Sequence, residues 1–122
     1  MSGNQLFEIS LQLLGLNESG DTDDLRSRAL SLINIALAES SILDCRISRS
    51  EHRVKSIQAM TDTLDVSEIV ASTVLPYALA RLLILGEDDS LADSMHKLCE
   101  NAKLNAIKLG RAKAEPIKEV YR

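Results

Sequence analysis

Cys45, His52, His96 and Cys99 are the soft metal ligands of this chain besides methionine, and they are where chemistry is sought first. His96 and Cys99 stand one helical turn apart, a spacing that suits zinc. However, Cys45-x6-His52 is not a finger spacing, and Cys99 falls on an apolar stripe. A core thiol and a surface imidazole describe that pair better than a metal site. A Cys99–His96 nucleophile lacks a neighbouring glycine loop for an oxyanion and a third group to orient the base. The five glycines are scattered at helix ends or in the N-terminal region, so no phosphate-binding loop is formed. Glu87, Asp88, Asp89 and Ser90 read as helix caps in preference to a metal site. No catalytic, metal or cofactor residue is assigned on these grounds, and nothing in the chain argues for an enzyme.

The acidic run belongs to the stretch Thr73 to Glu100. Pro76 suits the first turn of a helix, where its missing N–H would have been unpaired anyway. From Tyr77 to Leu85 the residues are apolar on every side, interrupted by the Tyr77 hydroxyl and Arg81. A helix of that kind belongs inside a core or a subunit contact. Gly86 allows the left-handed turn that ends it. Arg81 needs a carboxylate, with Asp62, Asp65 and the Glu87–Asp89 group as candidates to hold the helix junction. Pro76, Tyr77, Arg81 and Gly86 are thus expected to be structural.

Composition bounds the rest. With 122 residues the chain is read as one domain, and its aromatic content of 2% leaves Leu, Ile, Val and Ala to build the core. That favours packed helices over a β-sandwich. A formal net charge of −4 argues against a dedicated nucleic-acid binder. No apolar run approaches the ~18 residues of a membrane span, and two cysteines make no disulfide framework. A soluble protein made inside the cell is expected. The first 24 residues carry Glu8, Glu18, Asp21, Asp23 and Asp24 with no Lys or Arg. Basic residues gather at Arg46–Lys55 and from Lys103 to Arg122. Opposite charge at two ends suits head-to-tail contact between copies, although solvated surface is the better explanation of charge alone.

Periodicity predicts a short helix from about Asn4 to Leu14, ended by Gly15. A long amphipathic helix follows, on Leu25, Ala29, Leu32, Ile33, Ala36 and Leu37, to roughly Ser41 or Cys45. Asn34 lies beside this stripe and needs a partner if buried. Within residues 46–66, Val54–Ile57 alternates like a short strand and Thr63–Val66 does so weakly, which predicts a small hairpin or an irregular excursion around Asp62. Ser67 and Glu68 begin a brief helix through Ala71 that runs into a break before Pro76. Leu91, Met95, Leu98, Cys99, Ala102, Ala106 and Leu109 predict the last long helix, with Gly110 as its stop. The fold class is therefore mainly α: a small bundle of about four helices, a short β-like or irregular excursion and an extended C-terminal arm. The division is a helical domain over 1–112 and an arm over 113–122. In that arm Pro116 discourages helix, and Ile117, Val120 and Tyr121 are too few to pack alone, so it is frayed or docked on a partner.

The stretch LPYALARLLILGEDDSLADSMHKLCENA resembles the LPYGLAALLLAEED…A signature of head–tail connector (adaptor) proteins of tailed bacteriophages and prophages. LSLINIALAES resembles the second helix of that group, IQAMTDTLDV the segment leading into the signature, and IKEVY its short hydrophobic tail. Ala78 departs from a common Gly, and Ala is the better helix former. The resemblance implies a virion protein, assembled in the host cytoplasm, that forms a ring, usually of twelve copies, beneath the portal protein. Such a ring extends the DNA channel and joins the capsid to the next neck or tail-completion protein. DNA passes through without base readout, and no cofactor or membrane is involved. The resemblance also places portal binding on Pro116, Ile117, Lys118, Val120, Tyr121 and Arg122.

Two other readings compete. A helical DNA-binding or regulatory protein would use Arg46, Arg49, Arg53 and Lys55 as one basic face and would bind duplex in a salt-dependent way. A small metal enzyme would use His96 and Cys99 and would purify with stoichiometric metal.

Overall fold

Ser2 and Gln5 begin the first helix as a capping box. The Ser2 hydroxyl accepts the Gln5 N–H at 3.3 Å, and the Gln5 side-chain oxygen accepts the Ser2 N–H at 2.9 Å. In the computed structural model, which describes residues 1–16, 23–48 and 54–114, this helix is α1, Gly3–Leu13. Its end is a Schellman motif, with Leu16 N–H donating to the Leu11 carbonyl and Gly15 N–H to that of Gln12. Leu6, Phe7 and Leu11 bury the inner face, and the Arg26 guanidinium lies 5.0 Å from the centre of the Phe7 ring.

The second helix, α2, spans Asp23–Ser48 and runs past the predicted end. Leu25, Ala29, Ile33, Ala36, Leu37 and Leu43 are its buried stripe. The chain then returns as an irregular excursion over 54–67, with no strand among the described residues; a single antiparallel bridge joins Ser2 and Thr63. The hairpin alternative is therefore set aside, and the physical reason is that side chains of α2 take the ladder's place. Asn34 accepts the Ile57 N–H at 2.8 Å and donates to the Ile57 carbonyl at 3.0 Å, as a neighbouring strand would. Ser41 accepts the Val54 N–H at 3.4 Å, and Asp44 accepts the Ser67 N–H at 2.7 Å. Asn34, Ser41 and Asp44 fall at i, i+7 and i+10, along one side of α2. The turn inside the excursion is held by Asp62, whose carboxylate accepts the N–H groups of Gln58 and Ala59.

The excursion also caps α1. Gly3 N–H donates to the Asp62 carbonyl and Asn4 N–H to that of Met60, so two donors at the head of the helix find backbone partners. The approach is close. A Cβ on Gly3 would stand 2.9 Å from Ile57 Cδ1 and 3.1 Å from the Met60 oxygen.

The expected break before Pro76 does not occur. Helical backbone begins at Glu68, widens to a π-helical segment over Val70–Val74, and continues as α3, Leu75–Ile84. Proline in a regular helix lacks a donor and clashes with the carbonyl four residues back. The wider turn relieves that clash: Leu75 N–H reaches back five residues to the Val70 carbonyl, immediately before the proline. Ser72 and Thr73 hydroxyls donate to the carbonyls of Glu68 and Ile69. Pro76 thus stands in the first turn of α3 as expected, but inside a longer helical run.

Leu75, Leu79, Leu83 and Val74 are fully buried, and this segment is the centre of the core. α1 is tied to it by Ser10, whose hydroxyl is shared between the carbonyls of Leu6 and Pro76. A tight turn follows α3. Glu87 N–H donates to the Ile84 carbonyl, with Leu85 extended and Gly86 at φ +91°, a type II turn that only glycine enters without strain. Asp88 then accepts the Leu91 N–H at 3.0 Å and caps α4, Asp89–Ala114. The acidic run does cap this helix. Gly110 does not end it: an interior glycine costs only about 1 kcal/mol, and the preceding turns carry the helix through. α4 passes the expected domain boundary by two residues, and the arm from Glu115 onward lies outside the described residues.

Candidate interaction surface

The soft ligands weighed as candidates for chemistry differ in burial. Cys99 is buried, and its S–H points to the Val74 carbonyl at 3.9 Å. Burial pushes its thiol pKa up, with nearby Glu100 and Glu39 adding to this and Lys103 and Arg81 opposing it. That is the opposite of an activated nucleophile. His96, one turn earlier, is exposed; Cys45 is half-buried, and His52 lies outside the described residues. Among the described residues no three His, Cys, Asp or Glu side chains gather as a metal site.

At the helix junction the structure places a cation of α2 beside the acidic run. Arg28 of α2 lies 3.8 Å from Glu87, with both groups well exposed. Asp88 and Asp89 accept the backbone N–H groups of Leu91 and Gly86, and Asp62 holds the turn of the excursion. Arg81 is half-buried on α3 and contributes its positive field near Cys99. Of the proposed basic face, Arg46 and Lys55 are exposed, one near the end of α2 and the other in the excursion; Arg49 and Arg53 lie outside the described residues. The six arm residues from Pro116 to Arg122 lie outside them as well.

What the fold does present is aliphatic surface along α2 and α4. The two flanks of α4 form two shallow grooves. The first, about 310 Å³, lies between α2 and α4 and is lined by Glu39, Ile42, Leu43, Arg46, Glu100, Lys103, Leu104 and Ile107. Ile42 is 75% exposed there and Leu104 59%. The second, about 460 Å³, lies between α4 and the start of α3; Tyr77, Leu98 and Leu109 supply its apolar wall, Ser72, Thr73, Asn101 and Asn105 its polar one. At 3.6 residues per turn Leu98 and Leu109 share a face of α4, about 20° apart, while Leu104 sits roughly 120–140° away. The two grooves are therefore distinct faces.

Sequence reasoning missed this. Leu98 and Leu109 fit the helical stripe of α4, yet they lie at its margin and stay exposed. Ile42 and Leu104 were the available signal, because both are aliphatic and neither fits the stripe of its helix. Tyr77 is half-buried on the rim of the second groove. Among the described residues no helix is long and apolar enough to cross a membrane. Compared with protein-family models, curated proteins and solved structures, the chain matches none of them.

Proposed function

We propose that this chain is a structural assembly subunit of the head–tail connector class, working by shape and docking with no bond made or broken. In this reading its copies form a ring beneath a portal, extend the DNA channel and offer a surface to the next neck or tail component. The observation that carries it is the aliphatic surface on two separate flanks of α4, set on a block with a buried aliphatic core. A ring needs two non-identical, mutually complementary faces on each copy, and two distinct grooves are compatible with that requirement. Weak contacts suffice, since closure of the ring repeats each of them. The signature-like stretch from Leu75 onward supports the same reading, because it forms the buried helix, turn and cap that hold α4 in place. Residues 115–122 dock on the portal in this account, with Ile117, Val120 and Tyr121 as apolar contacts.

The test is a truncation. Removing residues 115–122 leaves the helical circular dichroism unchanged and abolishes co-sedimentation with portal. A truncated protein that still decorates portal normally would remove the arm from the account. Salt-dependent binding of duplex DNA by the full chain, without portal binding, would favour the basic-face alternative instead.

A further inference from the structure

We infer that the groove between α2 and α4 is a self-complementary contact through which two copies of this chain pair antiparallel about a two-fold axis near Ile42. On α2, Glu39 and Arg46 are exposed, and neither forms an ion pair among the described residues. They are seven residues apart, two helical turns or about 10.5 Å, and with Ile42 they occupy about 60° of arc. Ile42, between them, is the most exposed large aliphatic residue described, at 75%. On the facing helix Lys103 and Glu100 are satisfied by each other at 3.1 Å, so the unmatched charges of the groove are those of α2.

A two-fold axis beside Ile42 turns this arrangement onto itself. It sets Glu39 of one copy against Arg46 of the other, and Arg46 against Glu39. Ile42 of each copy then packs against its counterpart and the exposed Leu104. Such an isologous contact uses one patch twice and closes at two copies. Aliphatic anchors supply the affinity, and the charges fix the antiparallel direction and exclude the parallel one, which would oppose like charges. The pairing is a property of the free protein, released where ring assembly on a portal engages the same groove, and it does not depend on the connector reading, since it involves neither portal nor the residues after 114.

Sedimentation velocity of the full chain across the micromolar to submillimolar range tests it, without portal, at low and high salt. The expected result is a concentration-dependent monomer–dimer equilibrium that weakens with salt. Ile42→Glu weakens pairing about tenfold or more, with helical content unchanged. Glu39→Arg and Arg46→Glu each weaken it about tenfold, because each places like charges in contact twice. An equimolar mixture of those two variants pairs again, as does the double variant E39R/R46E. Four results overturn the inference: a monomer at every concentration, assemblies that grow beyond two copies, a dimer indifferent to I42E, or single charge variants that neither their mixture nor the double variant rescues. Loss of portal binding with this dimer intact would refute only the connector reading.

Discussion

Replacing Asn34 by Ala removes both hydrogen bonds to Ile57 and leaves the N–H and carbonyl of a residue only 5% exposed without partners. A net hydrogen bond contributes about 0.5–1.5 kcal/mol, and a buried group left unpaired costs about 1–3 kcal/mol. Some relaxation of the excursion toward water is available at its exposed neighbours Lys55 and Ser56. The expected loss is therefore about 2–4 kcal/mol, or roughly 8–16 °C in Tm for a domain of this size. Urea unfolding followed by circular dichroism measures it as a lower midpoint at unchanged slope. Asn34→Asp is the sharper variant. It keeps an acceptor for the Ile57 N–H but sets a carboxylate oxygen against the Ile57 carbonyl. Only the protonated acid donates there, so the folded-state pKa of the introduced carboxyl rises above the unfolded value of ~3.9. Relative to the parent, the variant is then least destabilised below about pH 4 and loses stability as pH rises through the raised folded value. A loss under about 0.5 kcal/mol for N34A, or a pH-independent deficit for N34D, refutes the claim that this amide replaces a strand.

Gly3→Ala forces a methyl onto Ile57 and the Met60 backbone and is expected to cost about 1–3 kcal/mol by urea unfolding; a neutral outcome contradicts the close docking of α1. Gly86→Ala, at φ +91°, is expected to cost about 1–2 kcal/mol by the same measurement while leaving both flanking helices formed. Glu87→Ala breaks an exposed ion pair with Arg28 and shifts stability by less than about 0.5 kcal/mol, at any salt concentration. A thiol reagent at neutral pH modifies the half-buried Cys45 before Cys99, and the two react alike only in denaturant. Because burial raises the Cys99 pKa, its thiolate fraction in the folded protein grows only above the ordinary ~8.5.

The helices were legible where burial is one-sided. Leu25 to Leu37 and Met95 to Ala106 repeat at helical spacing because one stripe of each helix faces the core. Gly86 and the acidic run were legible because turn and cap chemistry is local. Ser2 and Gln5 carried a readable capping box that apolar periodicity alone passes over. The excursion over 54–67 was not legible, since its backbone partners are Asn34, Ser41 and Asp44, whose spacing means nothing until the chain returns beside α2. Nor was the π-helical segment, because a proline rule sees the lost donor and not the widened turn that accommodates it. Arg81 drew attention as the cation of the helix junction, whereas Glu87 is met by Arg28 from a helix distant in sequence. Of the interaction surface, Ile42 and Leu104 were visible only as aliphatic residues outside the stripes of their helices.

The proposed connector role is tested most directly by negative-stain microscopy of the full chain mixed with a candidate portal protein. The account predicts particles in which a second ring of this protein sits coaxially beneath the portal, absent when either component is omitted. Portal particles that stay bare at saturating concentrations of a folded chain would contradict it.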